Sequence, residues 1–267
     1  MSFDVSGTCA VITGGGHGIG RAFAEAIAKE GAKVVIADVN KARADKIANR
    51  LGGISIACDV GDHASLVSLV EQAVDTFGPV KVFCSNAGIL DQGPDLGSSI
   101  EQIDAITRVN LLSHVWAAQA VLPSMIEQGG GYFVQTLSSA ALITGPAGMG
   151  YTFTKHGALG FAEWLALNYA DKNIHVSCLC PNLVNTGLLG RDEDNESAES
   201  PFVLPEGLGD VVEPEACAEA TIAAMKEGRF LVLPHQRVGE SFKRKANEYD
   251  AWLATSGERI RGLRPSS

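Results

Sequence analysis

Seven short, almost uninterrupted apolar runs recur along the chain, and this rhythm leaves few folds open. They are 8–13, 33–39, 55–60, 80–88, 131–139, 175–181 and 229–234. Continuous apolarity, rather than strict alternation, marks strands buried on both faces, as in parallel sheets. Helix-length segments fall between them, at 18–30, 40–51, 62–77, 101–127, 150–172 and 213–227. Strand followed by helix, repeated, predicts a doubly wound α/β sheet with helices on both faces. Nothing between the elements reads as a linker, so one domain over 1–267 is expected. A chain of this length buries about three quarters of its unfolded surface and needs no metal or disulfide to hold it.

Two stretches break the rhythm. Residues 187–212 are acidic and rich in Gly and Pro, which suggests a lid. Residues 235–267 carry seven Lys/Arg against four Asp/Glu and read as a basic tail, packed on the core or on a neighbouring subunit.

The formal net charge of -10 argues against nucleic acid and anionic lipid as partners. Five of the six cysteines lie in the apolar runs, without metal-ligand spacing, so no metal is expected. No basic start followed by an apolar stretch opens the chain, and no apolar run approaches membrane-spanning length. A cytoplasmic protein is the expectation.

The first apolar run leads directly into Thr13-Gly14-Gly15-Gly16-His17-Gly18-Ile19-Gly20. Glycines let a backbone turn tightly and approach a diphosphate. The helix that follows offers its positive end. Alone, the cluster has an alternative reading as a tight strand–helix turn; its early place between a buried strand and a helix points to a dinucleotide. Asp38 closes the second run, where a carboxylate can accept from both ribose hydroxyls of NAD and would repel the extra phosphate of NADP. Lys41 and Arg43 nearby are able to attract such a phosphate, and Asp38 has an alternative reading as a helix cap. Asp59-Val60 fits the edge of an adenine site or another cap. Asn86-Ala87-Gly88 fits close cofactor approach or a plain turn.

Tyr151 and Lys155 sit four residues apart at a helix start, on one face. A phenol of pKa about 10 is a poor base at neutral pH, and neighbouring positive charge favours its phenolate. Ser138, with Ser139 as rival, ends the fifth run and is placed to hold a substrate oxygen. Asn110 lies inside a helical segment, as a polar relay or a solvated Asn. A lone Tyr-x-x-x-Lys reads as an exposed amphipathic pair.

Taken together and in order, TGGGHGIG, Asp38, Asp59-Val60, Asn86-Ala87-Gly88, Asn110, Ser138, YTFTK at 151–155 and PNLVNT at 181–186 resemble the short-chain dehydrogenase/reductase superfamily over roughly residues 5–190. CPNLVNTGLL and the sequence near the C-terminus are also similar to 15-hydroxyprostaglandin-dehydrogenase-like members. The resemblance implies a Rossmann-type, seven-stranded parallel sheet and a homotetramer or dimer joined through 101–127 and 150–172. It implies a catalytic tetrad of Asn110, Ser138, Tyr151 and Lys155. The cofactor would be held by Gly14, His17, Gly18, Ile19, Gly20, Asp38, Asp59, Val60, Asn86, Ala87, Gly88, Tyr151, Lys155 and Val184, with Thr186 on the carboxamide. Two departures stand out: Ser85 replaces the first Asn of the usual NNAG, and Asn182 the Gly of the usual PG.

The expected activity is NAD(H)-dependent interconversion of a secondary alcohol and a ketone on a small molecule. Ser138, Leu142, Met149, Tyr151, Leu183, Leu188, Leu189 and Phe202 suggest a largely apolar pocket, and the acidic segment 187–212 disfavours anionic substrates. The alternatives are an epimerase or lyase on the same fold, or an NAD(H)-binding sensor.

Overall fold

The structure is a computed structural model that describes residues 3–91, 96–190 and 210–262. Its main sheet contains β1 (Cys9–Thr13), β2 (Lys33–Asp38), β3 (Ile54–Ala57), β4 (Val80–Ser85), β5 (Gly131–Thr136), β6 (Ile174–Leu179) and β9 (Leu231–Val232). All its pairings are parallel, in the order β3-β2-β1-β4-β5-β6-β9. A separate parallel pair joins β7 (Leu183–Val184) to β8 (Val211–Val212).

Side-chain alternation along each strand feeds two cores. Cys9, Val11, Phe83 and Phe133 point to one face, and Ala10, Ile12, Cys84 and Val134 to the other. The first face is covered by α3 (His63–Phe77), α5 (Ser113–Glu127) and α6 (Met149–Tyr169), through Leu66, Leu69, Val121, Ala158 and Leu165. The second is covered by α1 (Gly18–Lys29), α2 (Lys41–Leu51) and α7 (Pro214–Glu227), through Phe23, Ile27, Ile47 and Ile222. This is the doubly wound α/β arrangement that the apolar rhythm predicts.

Three features depart from the sequence reading. The segment expected as one helix over 101–127 is α4 (Ile100–Thr107), a π-helical turn (Arg108–Leu112) and then α5. The basic tail is two helices, α8 (Gln236–Asn247) and α9 (Tyr249–Gly262), and it packs on this chain's own core. Val238 joins the first core, and Trp252 is buried. Of the segment 187–212, only a short 3-10 turn at Gly187–Leu189 and β8 fall within the described residues.

Strand order reverses between β1 and β4, whose neighbours lead away in opposite directions. At such a switch point the loops leaving the strand ends diverge and open a crevice.

Candidate active site

A cleft of about 1250 Å³ lies over the carboxyl ends of the strands, where β1, β2, β4, β5 and β6 all deliver residues. Its first wall is the glycine turn between β1 and α1. Gly14 and Gly18 adopt left-handed φ angles of 63° and 52°, which cost a side-chain-bearing residue energy. A Cβ on Gly20 would lie 2.2 Å from the Gly14 carbonyl oxygen. Gly20 therefore packs helix against turn and does not face the cleft, whereas Gly14, His17, Gly18 and Ile19 line it.

Asp38 is almost fully buried at the end of β2 and still lines the cleft. Its Oδ2 accepts from the Gly16 N–H at 3.0 Å and its Oδ1 from the Asn40 N–H at 2.9 Å. The cap of α2 is Asn40, which accepts from Arg43 N–H, so Asp38 is not a helix cap. Lys41 is held by Asp45 and by Ser55, and the Arg43 stem lies where a Cβ on Gly16 would be. Neither cation lines the cleft. Asp59 likewise is no cap: it accepts from Gly61 N–H at 2.9 Å, while Asp62 caps α3. Asp59 and Val60 both line the cleft.

Thr13, which the sequence reading passed over, fastens β1 to the turn after β4. Its Oγ1 accepts from the N–H groups of Asn86 (2.9 Å) and Ala87 (3.2 Å), and Asn86 Nδ2 donates to the Thr13 carbonyl at 2.9 Å. Asn86, Ala87 and Gly88 are thereby fixed along the cleft. Asn110, fully buried at the centre of the π-helical turn, holds the next residue: Oδ1 accepts from Ile89 N–H at 2.9 Å and Nδ2 donates to Ile89 O at 2.8 Å. With both ends of its carboxamide engaged, Asn110 does not line the cleft.

Ser138, Tyr151 and Lys155 converge. β5 ends at Thr136, and Ser138 sits just before the 3-10 turn Ser139–Ala141, where its Oγ accepts from Ala140 N–H at 3.1 Å. The Ser138 hydroxyl lies near enough to the Tyr151 phenol to oppose the rise of its pKa. Ser139 donates to Asn182 Oδ1 at 3.1 Å, and both serines line the cleft. Lys155, one turn along α6, is buried; its Nζ donates to Thr136 O at 3.1 Å and lies 5.6 Å from the centre of the Tyr151 ring.

The electrostatics differ from expectation. Burial raises the Tyr151 phenol above its ordinary value, opposed by the Ser138 hydroxyl and reinforced by Cys180 and Asp91. Desolvation lowers Lys155 to about 8. In the protein alone, then, Lys155 does not turn Tyr151 into a phenolate. Behind Lys155, His114 is driven down to about 3 by burial and by the lysine's charge, and so stays neutral at 2.7 Å from Ser85 Oγ. The departure at Ser85 gives this imidazole its partner. Asn182 does not use a left-handed backbone; among the described non-glycine residues only Asn173 does.

Of the residues expected against substrate, Leu183 and Leu188 line the cleft, as do Val184 and Thr186, expected against the cofactor. Leu142 is packed into the core instead, and Met149 stands on the outer first turn of α6; neither reaches the cleft. Phe202 lies outside the described residues. Reasoning from sequence missed Asp91, which accepts from Gly150 N–H at 2.8 Å and so caps α6 from another loop. It also missed the wall contributed by α8 and α9.

This geometry meets the record of known proteins at the same place. The family model described as short chain dehydrogenase matches residues 8–197. Cyclohexanol dehydrogenase of Acinetobacter sp. strain SE19 is 32% identical over 244 residues, 89% of this chain and 95% of that protein. A short chain dehydrogenase/reductase from Burkholderia phymatum, solved in complex with NAD, superposes with a TM-score of 0.82 at 26% identity, covering 93% of this chain and 96% of that one. The 3-ketoacyl-(acyl-carrier-protein) reductase from Brucella melitensis, complexed with NADH, gives 0.76 at 26% identity, with 86% and 97% covered. The chain belongs to the short-chain dehydrogenase/reductase superfamily and is an oxidoreductase that works with a nicotinamide cofactor.

Proposed function

We propose that this enzyme interconverts a secondary alcohol and its ketone with NAD(H), using Tyr151 as acid and base. The observation that carries the reading is the convergence of the Tyr151 phenol, the Ser138 hydroxyl and the Lys155 ammonium on a cleft that runs on to the glycine turn. The residues present suit the cofactor: a side-chain-free turn at a helix start for a diphosphate, and a buried carboxylate for a ribose. The nicotinamide, when bound, supplies the acceptor or donor of hydride. Ser138 holds the substrate oxygen and Tyr151 exchanges its proton. Lys155 contributes positive charge beneath the phenol and a donor toward the nicotinamide ribose.

With its phenol raised by burial, Tyr151 is ready as an acid for ketone reduction; alcohol oxidation needs further positive charge beside it. Asn110 is a positioning residue that fixes Ile89, and through it Gly88, at the cofactor wall. Phe153, Trp164 and Leu167 expose apolar surface along α6, which supports self-association of this chain. Six free, buried cysteines suit a reducing compartment such as the cytoplasm.

Asp38 supports NAD over NADP, because its carboxylate is fixed by two backbone donors and no neighbouring cation faces the cleft. The test is cofactor reduction across a panel of secondary alcohols, with each dinucleotide, for the wild type and Asp38→Ala. The expected result is faster turnover with NAD and a preference cut about tenfold or more by the substitution. A wild type that prefers NADP would refute the assignment of Asp38.

A further inference from the structure

We propose that the substrate of this enzyme carries an anionic group, a carboxylate in the simplest case, at the end remote from its reacting carbon. This inference rests on the oxidoreductase reading of the site and names the substrate class. It departs from the apolar, anion-disfavouring pocket that the sequence alone suggests. The two C-terminal helices line one wall of the cleft with Arg237, Ser241, Arg244, Thr255, Ser256 and Arg259, and no carboxylate from either helix joins them.

The helix that carries Arg237 and Arg244 is anchored to the cleft by buried contacts at both ends. At the start of α8, the His235 ring accepts from Asn182 N–H at 3.1 Å and lies 3.1 Å from the Leu183 carbonyl, which places Arg237 two residues from the substrate segment. At its far end, Lys245 Nζ donates to the Leu142 carbonyl at 2.8 Å, four residues beyond Ser138, and this holds Arg244 at the cleft. The Lys245 ammonium also lies over the rings of Tyr249 (5.7 Å) and Trp252 (5.3 Å), locking α8 to α9. Arg244 donates toward Thr255 Oγ1 at 3.5 Å and pairs with Glu248. Among the described residues, no carboxylate pairs with Arg237 or Arg259.

Four other carboxylates reach the cleft: Asp38 at the end of β2, Asp59 just beyond β3, Asp91, which caps α6 through one oxygen, and Asp210, whose backbone bonds His235. Val238 and Trp252, both buried, line the same cleft and add apolar surface for a hydrocarbon body. Guanidinium groups beside such a surface suit a terminal carboxylate.

The test uses fatty acids of increasing chain length hydroxylated at the penultimate carbon, beside the methyl ester of each. Binding to the NADH-loaded enzyme is measured by calorimetry, a complex in which the alcohol cannot be oxidised. At the best length the acid binds about tenfold tighter than its ester, and added salt shrinks the difference. In Arg237→Gln/Arg259→Gln the acid-to-ester ratio falls toward one; both residues are exposed, and an unchanged urea midpoint checks the fold. Ester binding equal to or tighter than acid binding at every length, or a ratio untouched by the double substitution, would overturn the proposal. Turnover of the same alcohols with NAD is read separately. Tight, arginine-dependent acid binding without any NADH formation would sink the oxidoreductase reading while supporting the anion site.

Discussion

Lys155 shows at the scale of one residue how function costs stability. Its ammonium is buried and bonded to a single carbonyl, and desolvation lowers its pKa from 10.5 to about 8. Between those two values the unfolded chain binds the proton and the folded chain does not, so at this group stability rises with pH across that window. Cys180, raised to about 12, stays protonated throughout. Lys155→Met removes the titration. In urea unfolding at a series of pH values, the stability of the variant minus that of the wild type should fall by on the order of 3 kcal/mol from pH 8 to 10.5. A difference that stays flat over that range would show that Lys155 is not desolvated as described. Part of this residue-level arrangement is legible in the sequence, because Tyr151 and Lys155 obey helical spacing; Ser138 lies past the end of β5, where strand alternation no longer applies. The Asn110–Ile89 pairing and the partnership of His114 with Ser85 are not legible, since both depend on which side chains two separate elements bring face to face.

At the scale of elements, the glycine turn is the most tightly constrained. Gly20 is the contact on which α1 meets β1 and the turn after β4: a Cβ there would come within 2.6 Å of Asn86 Nδ2 as well as striking the Gly14 carbonyl. Neither group yields readily, one being backbone and the other tied to Thr13. Gly20→Ala should therefore cost about 1–3 kcal/mol in thermal or urea unfolding and weaken NADH binding with it, although the residue does not line the cleft. Unchanged stability and affinity would mean that the turn is looser than the geometry states. The seven strands of the main sheet and most of the helices between them are readable because burial on two faces or on one leaves an apolar trace; the two-residue strands β7 and β8 lie outside the apolar runs and leave none. The π-helical turn is not readable either, since its five residues are too few to establish a periodicity of their own. Helices α8 and α9 read as a basic tail because few of their residues are apolar; Val238 and Trp252 bury, and Lys245 supplies the polar anchor.

For the whole molecule, the consequence of the topology is that residues far apart in sequence meet over one sheet edge. Thr13 leaves β1, Asp38 ends β2, Ser85 ends β4, Thr136 ends β5 and Leu179 ends β6. Reversal of strand order between β1 and β4 opens the crevice in which the cleft lies. The doubly wound fold follows from strand–helix alternation, but the far wall of the cleft does not, because it comes from the two helices placed last in the chain. The central claim is that the Tyr151 phenol moves the proton while the rest of the site binds and orients. Measuring alcohol turnover and NADH affinity side by side in Tyr151→Phe tests it most directly. The account predicts a fall in kcat/KM of about 10²- to 10⁴-fold with NADH affinity close to that of the wild type; a variant that keeps most of its turnover would contradict it.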